Sequence, residues 1–448
     1  MHNKHDDPII DEKIRKSLNY SVLDGSFFSV MMGACENYFQ AFAVFLKATT
    51  FQTGIVTSVP MFLGSIIQLF SNKFIEFFKS RKKMMVIAAL IRTFLFLPLI
   101  FVFFMGEYRV WILIALIALY FILNFGSVPA WTSWMGDLVD ENKRGAYFGK
   151  RNRIGNLVSL ISVVGAGLIL DYFEMVNNTL IGFMILFFVG FIGSFLSMLF
   201  LSLKYDVEYE EPKEGRLDFV KFTREIVTTN RGKFVLYNFL LYFGTFFMAP
   251  YLTPYMLNRL NFSYFDFMVA TSVVAIAKFI AMPMWGYFGD RYGNKKILAL
   301  SGLFISVLPF SWIFPRSLFP VMILQIFAGI AWAGFDISSL NFTYDVTGKG
   351  DRTRYTTYLQ FYRGLGLFAG SLLGGLVVEN ITFMGSGFIA VFLISGVIRL
   401  LLAVPVMKFL TELRIVEHTT YPKMMIEMFT MAPRGVQEFL VGFRKRKK

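Results

Sequence analysis

The sequence predicts an all-α membrane protein, with twelve transmembrane helices in two pseudosymmetric six-helix bundles. Three observations lead there. Charged residues make up 17% of the 448 positions and hydrophobic ones 56%, against about 25% charged in ordinary soluble domains. Apolar windows of about 20 residues, the length that spans a bilayer as a helix, recur along almost the whole chain. Polar residues in the first half recur in the second at one constant offset.

The expected spans are 22–46, 51–71, 84–105, 109–132, 153–173, 178–202, 234–257, 264–286, 296–314, 318–343, 356–378 and 384–407. Each must be helical, because a backbone in lipid has to satisfy its hydrogen bonds within its own segment and these runs lack the alternation of barrel strands. Residues 1–21 are polar, without the continuous apolar core of a cleaved signal peptide, so the first helix itself is expected to direct insertion. The longest polar break, 203–233, has mixed charge, a proline and glycines. It is the expected cytoplasmic linker between an N-terminal bundle (22–202) and a C-terminal bundle (234–408). A tail, 409–448, follows; its methionine and phenylalanine spacing predicts an amphipathic segment on the inner leaflet, with the basic "FRKRKK" on anionic headgroups.

Net charge is +14, but its distribution is topological and does not point to nucleic acid. Of the 44 lysines and arginines, 36 fall in one alternate set of loops and 4 (Lys47, Arg109, Arg259, Arg316) in the other. By the positive-inside rule both termini are cytoplasmic, in a multi-pass protein of the plasma (inner) membrane. A lone Cys35 rules out intramolecular disulfides and thiolate clusters, and three histidines near the ends (His2, His5, His418) make no metal site. No cofactor is expected. No G-x-x-x-x-G-K-[ST] loop occurs, so ATP is not the direct energy source, and no catalytic constellation marks an enzyme.

The internal repeat is specific. "GDLVDENKRGAYFGKR" (136–151) follows the fourth helix and "YDVTGKGDRTRYTTYL" (344–359) the tenth. Asp137, Arg144, Tyr147, Gly167 and Asp171 match Asp345, Arg352, Tyr355, Gly375 and Glu379, each 208 positions on. Between helices eight and nine stands "GYFGDRYGNKK" (286–296); its counterpart "KFIEFFKSRKK" (73–83) keeps only the basic end.

Twelve helices in two repeats, a cytoplasmic linker and G-x-x-x-D-R-x-G-x-[KR]-[KR] resemble the major facilitator superfamily over roughly residues 15–410. In that family the motif usually stands strongest between helices two and three, so its strength in the second half is a departure. The resemblance implies helices one, four, seven and ten around a central cavity, two, five, eight and eleven at the interdomain seam, and three, six, nine and twelve outside. It also implies a conformational latch. Glycines 286, 289 and 293 permit a tight reversal and close helix approach, and Arg291, Lys295 and Lys296 anchor at headgroups. Asp290 would meet the positive start of helix five, near Lys150 to Arg153, when the cytoplasmic side closes. The pairs Asp137/Arg144 and Asp345/Arg352 admit the same reading, with a plain solvated loop pair as the alternative.

Ionisable side chains at bilayer depth cost about 2.5 to 3.5 kcal/mol on insertion scales and are functional candidates by default. Glu36 lies in "MMGACENYFQAFAV" on a face with Ser29, Gly33 and Gln40. It is the candidate for proton or substrate binding, the alternative being a fixed salt bridge to Lys278 or Arg363. Asp336, one turn after Trp332, is the next acid. Asn124 and Asn238 add neutral polar groups. Arg92 and Arg399, on outer helices, are expected to pack or snorkel, and Asp24 to cap the cytoplasmic start of helix one or compensate its dipole. Pro250 and Pro254 should break the outer half of helix seven, with Tyr242, Tyr251 and Tyr255 either gating the cavity or forming an aromatic belt.

The function expected is therefore secondary active transport of a small solute by alternating access, coupled to protons through Glu36, by a monomer whose partners are solute, protons and lipid. Two alternatives stand: a transport-incompetent receptor or scaffold with the same fold, and a sodium-coupled sugar-type symporter, which would want a second acid beside Glu36, with Asp24 available for it.

Overall fold

The computed structural model describes residues 8–140, 143–207, 218–348, 351–417 and 419–428. Among the described residues twelve helical passes are present: α1 (Pro8–Ala34, resumed by Phe39–Phe45), α2 (Thr50–Gln68), α3 (Arg81–Phe94, resumed by Phe96–Phe101), α4 (Arg109–Leu138), α5 (Arg144–Met175), α6 (Thr179–Ser202), α7 (Asn230–Phe246, resumed by a π-helical turn Tyr255–Arg259), α8 (Tyr264–Tyr292), α9 (Asn294–Ser311), α10 (Leu318–Asp345), α11 (Arg352–Asn380) and α12 (Gly387–Ile398, resumed by Arg399–Ala403). Ten of these, among the described residues, are long and apolar enough to cross a membrane. The other two are α1, charged in its first turns and broken at Cys35, and the short α9.

The chain packs as two compact units. One comprises Met1–Lys213, Ala249–Val269 and Leu367–Glu379; the other comprises Glu214–Met248, Ala270–Gly366 and Asn380–Lys448. The packing boundary therefore runs through α7, α8 and α11, whose outer parts belong with the first six helices.

Local chemistry explains where the passes begin. Thr49 and Gln52 form a capping box at α2, Ser80 caps α3 and Thr229 caps α7, each satisfying an orphan N–H of the first turn. The reversal from α8 to α9 uses a single residue, Gly293, at φ +94°. A side chain is strained in that conformation, and a Cβ there would sit 2.4 Å from the Glu412 carboxylate. In the first half the same reversal uses Lys79 at φ 52° and Ser80, a left-handed position occupied without glycine. Pro250 and Pro254 do interrupt α7: 3-10 and α turns at Ala249–Pro254 lead into the π turn.

The repeat is structural. Tyr147 donates to the Leu18 carbonyl (2.9 Å) and Tyr355 to the Arg231 carbonyl (2.9 Å), so Tyr147 ties α5 to the N-terminal half of α1 and Tyr355 ties α11 to the start of α7. Arg81 holds Asp137 (2.6 Å) as Asn294 holds Asp345 (2.9 Å). Tyr38 of the α1 break donates to Val163 O (2.7 Å), and Tyr251 of the α7 break donates to Ser371 O. Beside them Gly167 and Gly375 admit the two rings: an added Cβ would lie 3.0 Å and 2.8 Å from the respective hydroxyls. The arginine pair diverges. Arg144 donates to Gly136 O and Val139 O, whereas Arg352 stacks over Tyr344 at 4.6 Å.

Two sequence expectations are corrected. Asp24 caps nothing: α1 starts at Pro8, so Asp24 lies well inside it, buried and bound to Lys204 Nζ (2.7 Å) and Ser197 Oγ (2.7 Å), with Arg151 at 4.0 Å. Just beyond α6, burial pulls the Lys204 ammonium below the ordinary lysine range, opposed by the Asp24 charge. Residues 421–428 of the tail form a helix whose Met424 and Met428 are buried against Trp285, Phe288, Tyr292, Ile297 and Leu300, so this apolar face is covered by protein instead of lipid. Residues 429–448, including "FRKRKK", and the three histidines lie outside the described residues.

Candidate functional site

In the first unit the candidate site is the break in α1. The helix ends at Ala34, a 3-10 turn carries Glu36–Tyr38, and helix resumes at Phe39. A broken membrane helix presents unpaired backbone and side chains at depth. The break is held from both sides: Cys35 Sγ donates to Leu186 O (2.9 Å), and Tyr38 to Val163 O. Gly190 makes room for the sulfur, an added Cβ lying 2.2 Å from it. Glu36, half-buried, accepts from the hydroxyl of fully buried Tyr120 (2.6 Å). Arg92 acts on Glu36 electrostatically, donates to Asn124 Oδ1 (3.4 Å) and lies over the Phe28 ring at 4.8 Å. Its Nε is buried without a hydrogen-bond partner among the described residues.

A carboxyl with one donor, a nearby cation and partial exposure has the parts of a proton site. Ionised, it accepts from Tyr120 and is favoured by Arg92; protonated, it loses the attraction and still has an acceptor in reach. Tyr120 and Arg92 are the residues that sequence reasoning missed as Glu36 partners. The charge of Arg92 at bilayer depth is visible in the sequence, but its place on an outer helix points away from the site. Gln40, on the same face in sequence, is committed structurally: its amide donates to Pro250 O and Thr53 O and accepts from Thr253 Oγ1.

At the end of this unit opposite the basic loops, acidic side chains cap two helix N-termini. Glu379, at the end of α11, accepts from Phe51 N in the first turn of α2 (2.9 Å). Asp171, at the end of α5, accepts from Phe265 N in the first turn of α8 (3.3 Å), and Glu174 from Tyr264 N (3.3 Å). Asp171 and Glu379 are a repeat pair, so each half supplies one carboxylate to a helix N-terminus, where such charges contribute about 0.3 to 1 kcal/mol. The double variant Asp171→Asn with Glu379→Gln is expected to increase labelling of a cysteine at buried Thr53 by an impermeant maleimide about threefold or more. Unchanged labelling would mean that the caps do not hold this end shut.

In the second unit Lys278 of α8 pairs with Asp336 of α10, both about one-third exposed. The two helices approach over Gly329, where a Cβ would meet Val274 O at 2.5 Å. Arg363 of α11 donates to Asn238 Oδ1 (2.7 Å) and Ser339 Oγ (2.6 Å) and lies 5.2 Å from the Tyr242 ring. Tyr242, Trp332 and Phe335 form an aromatic cluster at centroid separations of 5.5 to 6.3 Å. Partly exposed charges beside aromatic faces suit an amphipathic or aromatic solute. Ser339 carries no charge and stands out only through its bond to Arg363. Arg399 is buried on the carbonyls of Ile305 (2.8 Å) and Thr245 (3.3 Å), packed as the sequence suggested.

The motif residues also have partners within this unit. Asp290 is paired with Arg414 (3.2 Å), which also holds Asp345 (2.9 Å). Arg291 pairs with Glu417 (2.8 Å). Lys295 donates its backbone N–H to Glu412 (2.8 Å). Gly289 lies against Asn294, 3.0 Å from an added Cβ, while Gly286 faces open space.

Known proteins place these features in a family. The family model described as Major Facilitator Superfamily matches residues 21–234 and again 234–446. The chain is 26% identical over 397 residues to the multidrug resistance protein MdtG of Escherichia coli, covering 85% of this chain and 90% of that one. It is 22% identical to the multi-drug resistance efflux pump PmrA homolog of Lactococcus lactis, covering 80% and 86%. An uncharacterized transporter of this type from Bacillus subtilis, YuxJ, is 30% identical over 172 residues, a match spanning 37% of this chain and 43% of that protein. Among solved structures, the D-xylose-proton symporter superposes with a TM-score of 0.66 at 15% identity, covering 91% of this chain and 99% of that one. The nucleoside transporter NupG gives 0.63 at 16%, covering 88% and 98%.

Proposed function

We propose a transport reaction for this chain, which belongs to the Major Facilitator Superfamily: proton-coupled movement of a small organic solute by alternating access, in the export direction. Membrane transport, and not enzymatic chemistry, is what the family does. The observation that carries proton coupling is the Glu36 carboxyl at the α1 break, held by Tyr120 and within the field of Arg92. The names of the multidrug relatives support export and an organic solute, and the aromatic cluster with Arg363, Lys278 and Asp336 supports an aromatic or amphipathic one.

In this reading the carboxylate caps at α2 and α8 close the extracellular end. Both termini are cytoplasmic in the inner membrane, and the protein works as a monomer. The latch expected at Asp290 remains part of the proposal. Asp24, committed to Lys204 and Ser197, supports a single coupling acid over the acid pair that a sodium symporter would want. The pairing of Lys278 with Asp336 favours a second reading, a rigid receptor or scaffold with its charges neutralised.

Reconstitution separates the two. Proteoliposomes with an acidic lumen are expected to accumulate at least one of ethidium, a nucleoside or a pentose above the external concentration, and a protonophore is expected to abolish the accumulation. A scaffold gives no uptake of any probe with or without the gradient.

A further inference from the structure

We infer that residues 410–417 and 419–428 are an autoinhibitory strap, which occupies the charged residues of the α8–α9 turn and must undock before they can act as a conformational latch. The strap runs off α12 and meets the α8–α9 turn residue by residue. Thr411 exchanges two hydrogen bonds with the Asn230 side chain at the start of α7 (2.9 and 3.0 Å). Glu412 accepts from Lys295 N in the first turn of α9 (2.8 Å), where a carboxylate suits the helix dipole, and it fits only because Gly293 has no Cβ. Arg414 then bridges Asp290 (3.2 Å) and Asp345 (2.9 Å). Glu417 takes the Arg291 guanidinium (2.8 Å) and donates its own N–H to Arg291 O (3.1 Å). Glu427 reaches Arg291 (3.5 Å) and the Tyr292 hydroxyl. Met424 and Met428 bury the helical end against Trp285, Phe288 and Tyr292.

The first half holds a shorter version of the same contact. After α6, Asp206 accepts from the α3 cap Ser80 (2.8 Å) and Lys204 O from Lys82 (2.7 Å). Anchoring α9 as α3 is anchored needs little more than Glu412. Arg414, Glu417 and Glu427 go further and take up Asp290 and Asp345, charged groups that the sequence marks as moving, together with the neighbouring Arg291. A cation already seated on Asp290 competes with any cationic helix start that would claim it when the cytoplasmic end closes. The Asp290–Arg414 and Arg291–Glu417 pairs are partly exposed, with Asp290 76% accessible, so each is weak; the stronger hold is the burial of Met424 and Met428, which release of the strap gives up.

The inference rests on the alternating-access reading, and its test does not depend on transport. Spin labels at exposed Lys79 and Gly348 (Lys79→Cys, Gly348→Cys) report the cytoplasmic separation in nanodiscs by double electron–electron resonance; the one native cysteine, Cys35, is buried. In Arg414→Ala the ratio of the shorter-distance to the longer-distance population is expected to rise about threefold, and the rise is expected to vanish when Asp290→Asn is added. The pair Glu417→Gln with Glu427→Gln, which loosens the strap without touching Asp290, is expected to shift the ratio in the same direction. An unchanged distribution in both strap variants, or a rise that persists in Asp290→Asn, overturns the strap. Failure of the transport reading shows differently, as absence of solute uptake whatever the label distances report.

Discussion

Glu36→Gln is expected to reduce solute accumulation in acid-lumen proteoliposomes to the level seen without a gradient, while exchange at equal pH on both sides continues at a rate near that of wild type. Glutamine keeps the shape and the acceptor for Tyr120, whose hydroxyl lies 2.6 Å from the carboxylate, so the α1 break should survive. What it removes is the titration, and with it the step that links proton movement to the conformational cycle. Tyr120→Phe separates this from a merely structural role. It deletes the donor and leaves the carboxyl, so coupling should persist with a changed pH dependence, because the hydrogen bond contributes to the balance between the charged and neutral carboxyl. Gradient-driven accumulation that is intact in Glu36→Gln removes Glu36 from the coupling mechanism.

Lys204→Met is expected to destabilise the fold strongly. Asp24 is 6% exposed and Lys204 fully buried, and deleting one partner of a buried pair leaves an uncompensated charge, costing about 3 to 5 kcal/mol. Ser197 at 2.7 Å and Arg151 at 4.0 Å still address Asp24, which places the expectation at the low end. The apparent Tm in detergent should fall by about 3 to 6 °C. Adding Asp24→Asn should recover most of the loss, since a neutral amide can keep the Ser197 contact. A double variant as unstable as the single one would show that Lys204 acts through its packing against Trp134, 5.7 Å from the ring centroid, and not through charge.

The fold is largely legible in the sequence because a bilayer converts hydropathy directly into element length, and because the internal repeat marks two halves. The repeat residues carry packing: Tyr147 and Tyr355 tie α5 and α11 to α1 and α7, and Asp171 and Glu379 cap helix N-termini. Less of the candidate site is legible. No proline or glycine between Ala34 and Phe39 marks the α1 break; it depends on Leu186, Gly190 and Val163, far away in the chain.

Asp24 looks like a cap because the apolar window opens at residue 22, whereas the helix continues outward to Pro8 on polar residues. Its true partner lies 180 positions along the chain. The tail shows a different limit. Methionine spacing reveals one apolar face, and the same spacing serves a leaflet or the Trp285 and Phe288 surface equally well. Arg92 shows how a helix-level map hides a residue whose side chain reaches inward to Asn124.

The central claim is that one carboxyl, Glu36, exchanges a proton for each solute moved. Its most direct test is the proton count, with a pH-sensitive dye trapped in proteoliposomes and solute movement followed in parallel. A fixed ratio of protons to solute is expected in wild type, and solute movement without proton movement in Glu36→Gln. The same ratio in both proteins would contradict the claim.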